Sequence, residues 1–187
     1  MHNFKNTKIL ITGHTGLKGS WLSLWLSHLG ANVYGISNNF KTNQTNIKNF
    51  KMKKIFKNFN IDIRNFRKLN KIITKIKPDF IFHFAAQSLV GTSYKKPIYN
   101  FETNFNGTLN LLEVLRLSNF NCVSIVITSD KSYRNFEIKR GYKENDRLGG
   151  IDPYSASKAS AELALHSYIK SYFEKKSKVR IGIARAG

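Results

Sequence analysis

Acidic residues and cysteines are scarce in this sequence, and no apolar run is long enough to cross a membrane. Cys122 is the only cysteine among 187 residues. That excludes a disulfide within the chain and a cysteine-rich metal site, and it fits a reducing cytoplasm. Eleven acids stand against 31 lysines and arginines, giving a formal charge of +20. Such a balance suggests nucleic acid or another anionic surface. The lysines, however, are scattered among asparagines and isoleucines, form no separate tail and accompany no nucleic-acid-binding module. What the charge suits is an anionic, phosphate-bearing substrate. Met1 to Lys8 is polar, and the apolar run after it is too short for a signal peptide. There is no internal repeat, and 38–54 is the one polar connection.

What is present alternates between strand and helix signals over a length that fits one domain with a sizeable core. Lys8 to Thr12 is a short apolar strand, followed by the glycine loop Gly13-His14-Thr15-Gly16-Leu17-Lys18-Gly19. A helix follows over Ser20 to Leu29, with Trp21, Leu22, Trp25, Leu26 and Leu29 as its apolar stripe and Gly30 closing it. The two tryptophans are read as core residues. Strand, glycine loop and helix in that order make a dinucleotide site: the glycines let backbone amides approach a pyrophosphate, and the helix N-terminus supplies partial positive charge.

Asn32 to Ile36 is the second strand. Ser37, Asn38 and Asn39 stand at its end, where an acid for the adenosine ribose is usual. Asn38 can bond the ribose hydroxyls and Lys41 can meet a 2′-phosphate, so NAD and NADP both stay open. Phe56 to Ile61 reads as a third strand, with Asp62-Ile63-Arg64 after it, where the carboxylate can hold the adenine amine. A helix over 65–76 ends before Pro78. The fourth strand, Asp79 to Phe84, runs into Ala85-Ala86-Gln87-Ser88-Leu89-Val90, small enough at its start for a flat cofactor to lie on the backbone. His83, inside an apolar run, is read as a packed core residue. A helix over 98–117 carries Asn104, as either a buried structural amide or part of the site.

The chemistry concentrates between Thr128 and Lys158. Cys122 to Thr128 is a β-branched run that reads as a buried parallel strand, and Ser129-Asp130-Lys131 follow at its carboxyl end, where open α/β sheets place ligands. Adjacent residues in a strict strand point oppositely, so Asp130 and Lys131 reach one site only if the chain is already turning there. Asp152 is a good N-cap and Pro153 a good first helical residue, which puts Tyr154 in the first turn of a helix. Lys158, four residues on, shares its face. Helix dipole and ammonium both favour phenolate, as a tyrosine with an ordinary pKa near ~10 requires if it is to act as a base. The helix runs to about Phe173, and Val179 to Ala184 is a sixth strand. The expected fold class is α/β, a Rossmann-type doubly wound parallel sheet with helices on both faces, and no second, C-terminal substrate lobe is expected within 1–187.

Taken together, Gly13-His14-Thr15-Gly16, Lys18-Gly19-Ser20-Trp21-Leu22, Ala85 to Val90, Thr128 to Lys131, Gly141-Tyr142-Lys143-Glu144, Leu148-Gly149-Gly150 and Asp152-Pro153-Tyr154-Ser155 resemble the CDP-glucose 4,6-dehydratase family of the extended short-chain dehydrogenase/reductase superfamily. The Tyr-x-x-x-Lys pair and the glycine loop indicate the superfamily; Lys-Gly-Ser-Trp-Leu and Ser-Asp-Lys narrow it. The resemblance implies NAD, held by Gly13, His14, Thr15, Gly16, Leu17, Lys18 and Gly19, by Asn38, Asp62 and Ile63, by Ala85, Ala86 and Gln87, and by Asn104, Tyr154 and Lys158. It also implies catalysis by Ser129, Asp130, Lys131, Tyr154 and Lys158 on a nucleotide sugar, CDP-glucose, with no metal. Pairing of two copies through the helices at 98–117 and 153–173 is implied too; the substrate lobe of the family is not expected within this stretch, as in a gene fragment, an incomplete record or a split gene with a separately encoded C-terminal half. Leu17, Gly91, Ser132 and Arg134 depart from the family pattern without removing a catalytic group. A silent NAD-binding module and a sugar-nucleotide epimerase are the competing readings, and the Asp130-Lys131 pair argues against the epimerase.

Overall fold

A computed structural model describes residues 4–38, 57–174 and 178–187. Within them, β1 (Lys8–Thr12), β2 (Asn32–Ser37), β3 (Lys57–Asn60), β4 (Phe80–His83), β5 (Cys122–Ser129) and β6 (Val179–Ala186) form a six-stranded sheet in the order β3-β2-β1-β4-β5-β6. Every pairing is parallel. That is the doubly wound Rossmann arrangement, with its switch point between β1 and β4, where the carboxyl ends open a crevice. Lys41, and Phe56 at the expected start of β3, lie outside the described residues.

The helices are α1 (Leu17–His28), α2 (Phe66–Ile76), α3 (Val90–Lys95), α4 (Pro97–Phe101), α5 (Gly107–Leu117) and α6 (Pro153–Tyr168). One core unites Leu10, Ile36 and Ile81 of the sheet with Leu69 and Ile73 of α2, Leu111, Leu112 and Leu115 of α5, and Leu165 of α6. A smaller one joins Ile9, Ile11 and Val33 to Leu26 of α1 on the other face. Over β4 and β5 that second face is only partly covered: Phe80, Phe82, Val123, Ile125 and Ile127 are half-buried, although parallel strands normally bury both faces.

α1 differs from the expectation in a way that moves both tryptophans. Its inward residues are Gly19, Ser20, Ser23 and Leu26, and a Cβ on Gly19 would lie 2.9 Å from the His14 Cα. Small side chains bring the helix close to the glycine loop, which turns the bulky ones outward. Trp21 and Trp25 are therefore 53% and 64% exposed rather than in the core.

The long helix expected over 98–117 is interrupted. Between α4 and α5 the chain makes a π-helical turn, Glu102–Asn106, a feature that often marks functional positions. A second π turn, Ile169–Phe173, prolongs α6.

Candidate active site

The loop after β1 is shaped by close backbone approach. Gly13 has φ +72°, and a Cβ there would sit 2.7 Å from the Ala85 nitrogen. Its own N–H donates to the Ile36 carbonyl at 2.8 Å, and the Thr15 and Ser37 hydroxyls pair at 2.9 Å. α1 starts after Gly16 with no side-chain cap, so its first N–H groups face outward, the arrangement that holds a phosphate.

These residues form one wall of a cleft of about 440 Å³. Gly13, Thr15, Gly16, Leu17, Lys18 and Gly19 line it beside Asn38, Asp62, Ile63, Ala85, Ala86, Tyr154 and Lys158. The sequence therefore located the cleft and most of its lining. Ser88, Tyr99 and Thr103 also line it; nothing in their local pattern distinguishes them from other polar helix and loop residues. At the β3 end, Arg64 donates to both Asp62 oxygens and to Glu102. Its guanidinium holds the Asp62 carboxyl below the ordinary range, and Asn38 reaches Asp62 at 3.5 Å.

Three expected cofactor contacts lie elsewhere. His14 is fully buried, its ring packed against Gly35 so tightly that no Cβ fits there. Burial lowers its pKa, and Ile36 and Asn58 rather than the cleft are its neighbours. Asn104 is a structural amide: its oxygen accepts the Gln87 N–H at 2.8 Å, and its nitrogen donates to the Gln87 carbonyl and the Ser157 hydroxyl at 3.0 and 2.9 Å. Gln87 turns its own side chain to Leu89. His14, Gln87 and Asn104 thus support the cleft wall without lining it. His83 is a core residue as expected, bonded to Thr12 at 2.7 Å, with its pKa lowered by burial to about 3.

The α6 start follows its sequence signal closely. Asp152 caps the helix, accepting the Ser155 N–H at 3.0 Å, and Pro153 opens it. Tyr154 and Lys158 consequently project together into the cleft. Lys158 donates to the Ile127 carbonyl at 3.3 Å, and burial lowers its pKa to about 8, opposed by the charge of Glu162 and assisted by that of Lys18.

β5 ends at Ser129, and Asp130–Ser132 form a 3-10 turn. Ser129 accepts the Lys131 N–H at 3.2 Å and donates to Asp130 at 3.0 Å. The turn resolves the alternation problem, because Asp130 and Lys131 both face a second cavity, of about 600 Å³, with Tyr133, Tyr142, Asp152 and Ser155. Ser129 is buried and lines neither space. The expected catalytic set is therefore divided, Tyr154 and Lys158 on the cleft and Asp130 and Lys131 on the adjoining cavity, with the first turn of α6 between them.

Sequence reading missed a buried ion pair below this partition. Glu162 is fully buried. It accepts the Thr128 hydroxyl at 2.5 Å and the Arg185 Nε at 2.8 and 3.0 Å. The available signal was its place one turn beyond Lys158 on the same helix face.

Comparison with known sequences fits this geometry. The sequence model described as GDP-mannose 4,6 dehydratase matches residues 10–182. The chain belongs to that family. Among its relatives, the CDP-glucose 4,6-dehydratase of Salmonella typhimurium is 41% identical over 98% of this chain and 51% of that protein. The CDP-paratose 2-epimerase of Salmonella typhi is 32% identical over 88% of this chain and 54% of its own length. The chain spans about half the length of the curated relatives it matches. A solved structure, the UDP-glucuronic acid 4-epimerase of Bacillus cereus in complex with UDP-glucuronic acid and NAD, superposes with a TM-score of 0.79 at 27% identity, covering 95% of this chain and 55% of that one. Among the described residues, no group of three or more His, Cys, Asp or Glu could hold a metal ion, and no helix is long and apolar enough to cross a membrane.

Proposed function

We propose that residues 1–187 are the NAD-binding, catalytic domain of a sugar-nucleotide 4,6-dehydratase acting on CDP-glucose. One observation carries the reading: an acid and a base, Asp130 and Lys131, stand side by side on a cavity next to the Tyr154/Lys158 cleft. Epimerisation through a keto sugar needs the Tyr/Lys pair alone. Removing water also needs a proton taken from one carbon and a proton given to a leaving hydroxyl. The 41% identity to a CDP-glucose 4,6-dehydratase supports the same choice.

NAD suits the cleft, because the Gly13 approach to Ala85 leaves a flat backbone surface and the α1 start offers uncapped amides. When bound, NAD supplies the hydride acceptor for C4 and returns that hydride to C6. Gly13 and the stretch from Thr15 to Gly19 would hold the pyrophosphate, Asn38 the ribose, and Asp62 and Ile63 the adenine. Tyr154 takes the proton of the sugar 4-hydroxyl, and the Lys158 ammonium lowers the cost of the phenolate. Ser129 fixes the turn that carries Asp130 and Lys131, accepting the Lys131 N–H and donating to Asp130. Once C4 is a ketone, the C5 proton is acidic; Lys131 removes it while Asp130 protonates the departing 6-hydroxyl, and Lys131 gives a proton back to C5 when C6 is reduced. The product is a 4-keto-6-deoxy sugar and water.

Exposed Ile98, Leu117, Leu163 and Tyr172 give the helices at 98–117 and 153–173 an apolar surface, which supports pairing of two copies there. The test is incubation with CDP-glucose and NAD, alone and with the polypeptide encoded directly downstream, following the 4-keto product by its alkaline absorbance. Product that disappears in Tyr154→Phe and Lys131→Ala supports the assignment. NAD binding without product in either mixture refutes it.

A further inference from the structure

We infer that Glu162 is a positioning residue that holds Lys158 in place and in its charged form, with Arg185 as the counter-ion that fixes Glu162. The inference rests on reading Lys158 as the amine that assists Tyr154. Glu162 follows Lys158 by one helical turn on α6, so the two side chains share a face. It is fully buried. A carboxylate so placed is costly unless it is paired and hydrogen-bonded. Here both conditions hold: the Thr128 hydroxyl donates to Oε1, and Arg185 grips both oxygens through Nε while its terminal nitrogen lies 2.6 Å from Oε2.

Register makes the arrangement specific. Thr128 and Arg185 are paired across β5 and β6, so two strands deliver their donors to one acidic residue of α6. Lys158 itself bonds the Ile127 carbonyl, the residue before Thr128. The same clamp therefore fixes the strand end that the ammonium leans on. Arg185 then reaches the substrate-side loop, with its guanidinium 4.4 Å from the Tyr133 ring centroid and a bond of 3.0 Å to the Glu144 carbonyl. Tyr133 lines the cavity of Asp130 and Lys131. One ion pair thus ties the cofactor cleft to the neighbouring cavity.

The charges around Lys158 leave Glu162 as its stabilising partner. Tyr154 and Glu162 face it from α6, Lys18 from α1 and His83 from β4. Of the remaining groups, Asp130 and Lys131 open on the other cavity, Glu102 of the π turn is bound to Arg64, and Arg185 is occupied by Glu162. Burial and Lys18 both push the ammonium toward its neutral form, and Glu162 opposes them.

The experiment is titration of the chain carrying carbon-13 labelled lysine, with the Lys158 signal identified by its loss in Lys158→Met. The wild-type midpoint is expected near 8. In Glu162→Gln, similar in shape but uncharged, it should fall by at least about one pH unit. In Arg185→Gln, where Glu162 keeps the Thr128 hydroxyl but has Lys158 as its remaining positive partner, it should rise. A purely structural pair would not shift the two variants in opposite directions. A folded Glu162→Gln with the wild-type midpoint overturns the inference. If Glu162→Gln does not fold, Arg185→Gln decides, and an unchanged or lowered midpoint overturns it. The readout needs no turnover, so it stands or falls separately from the dehydratase assignment.

Discussion

Replacing Lys158 with methionine should make this protein more stable while disabling its site. In the folded state burial lowers the lysine pKa from 10.5 to about 8. At ~1.4 kcal/mol per pH unit, that drop means the fold bears a cost of about 3 kcal/mol for keeping the ammonium charged. Below pH 8 both folded and unfolded chains hold the proton, so the cost is fully present. Between pH 8 and about 10.5 the folded chain has released its proton and the unfolded chain has not, so wild-type stability recovers as pH rises. Methionine fills much of the same volume without charge. Urea unfolding should therefore show Lys158→Met more stable by up to about 3 kcal/mol at pH 7, with the gain shrinking steadily toward pH 10.5. A variant less stable than wild type at pH 7, or a gain independent of pH, would refute the reasoning.

Other substitutions test other parts of the site. Gly13→Ala imposes φ +72° on a residue with a side chain and drives its Cβ toward the Ala85 nitrogen; it should cost at least about 2 kcal/mol in urea unfolding and weaken NADH binding measured by fluorescence. Asn104→Ala leaves both polar groups of the Gln87 backbone without their buried partner, so unfolding should be easier by about 2–3 kcal/mol. Trp25→Gln removes a side chain that is mostly in solvent, and its melting curve should stay within about 0.5 kcal/mol of wild type.

Most of the sheet was legible because its strands, the polar β3 apart, are short apolar runs with turn signals after them. Lys8 to Thr12 and Cys122 to Thr128 needed no tertiary information to be found, the second extending one residue further in the structure. The α6 start was legible for a local reason too, since cap, proline and the Tyr154/Lys158 spacing all lie within seven residues of chain. What escaped was non-local or depended on which face of a helix wins. α1 has a broad apolar face opposite a face of small residues, and the close approach required by Gly13 and Gly19 selected the small face for the sheet. That contact lies outside any periodicity count. The π turn carries Asn104, whose partners Gln87 and Ser157 are distant in sequence. Glu162 and Arg185 meet only because β6 pairs with β5 in one register.

The central claim is that this site removes water and does not merely invert a carbon. It is tested most directly by converting CDP-glucose in deuterated water with NAD and the protein, alone and with any polypeptide encoded directly downstream, and weighing the product. The account predicts a sugar lighter by one water that carries one deuterium at C5, placed there after Lys131 has removed the original hydrogen. A product of unchanged mass apart from exchangeable positions, epimerised at a single carbon, would contradict it.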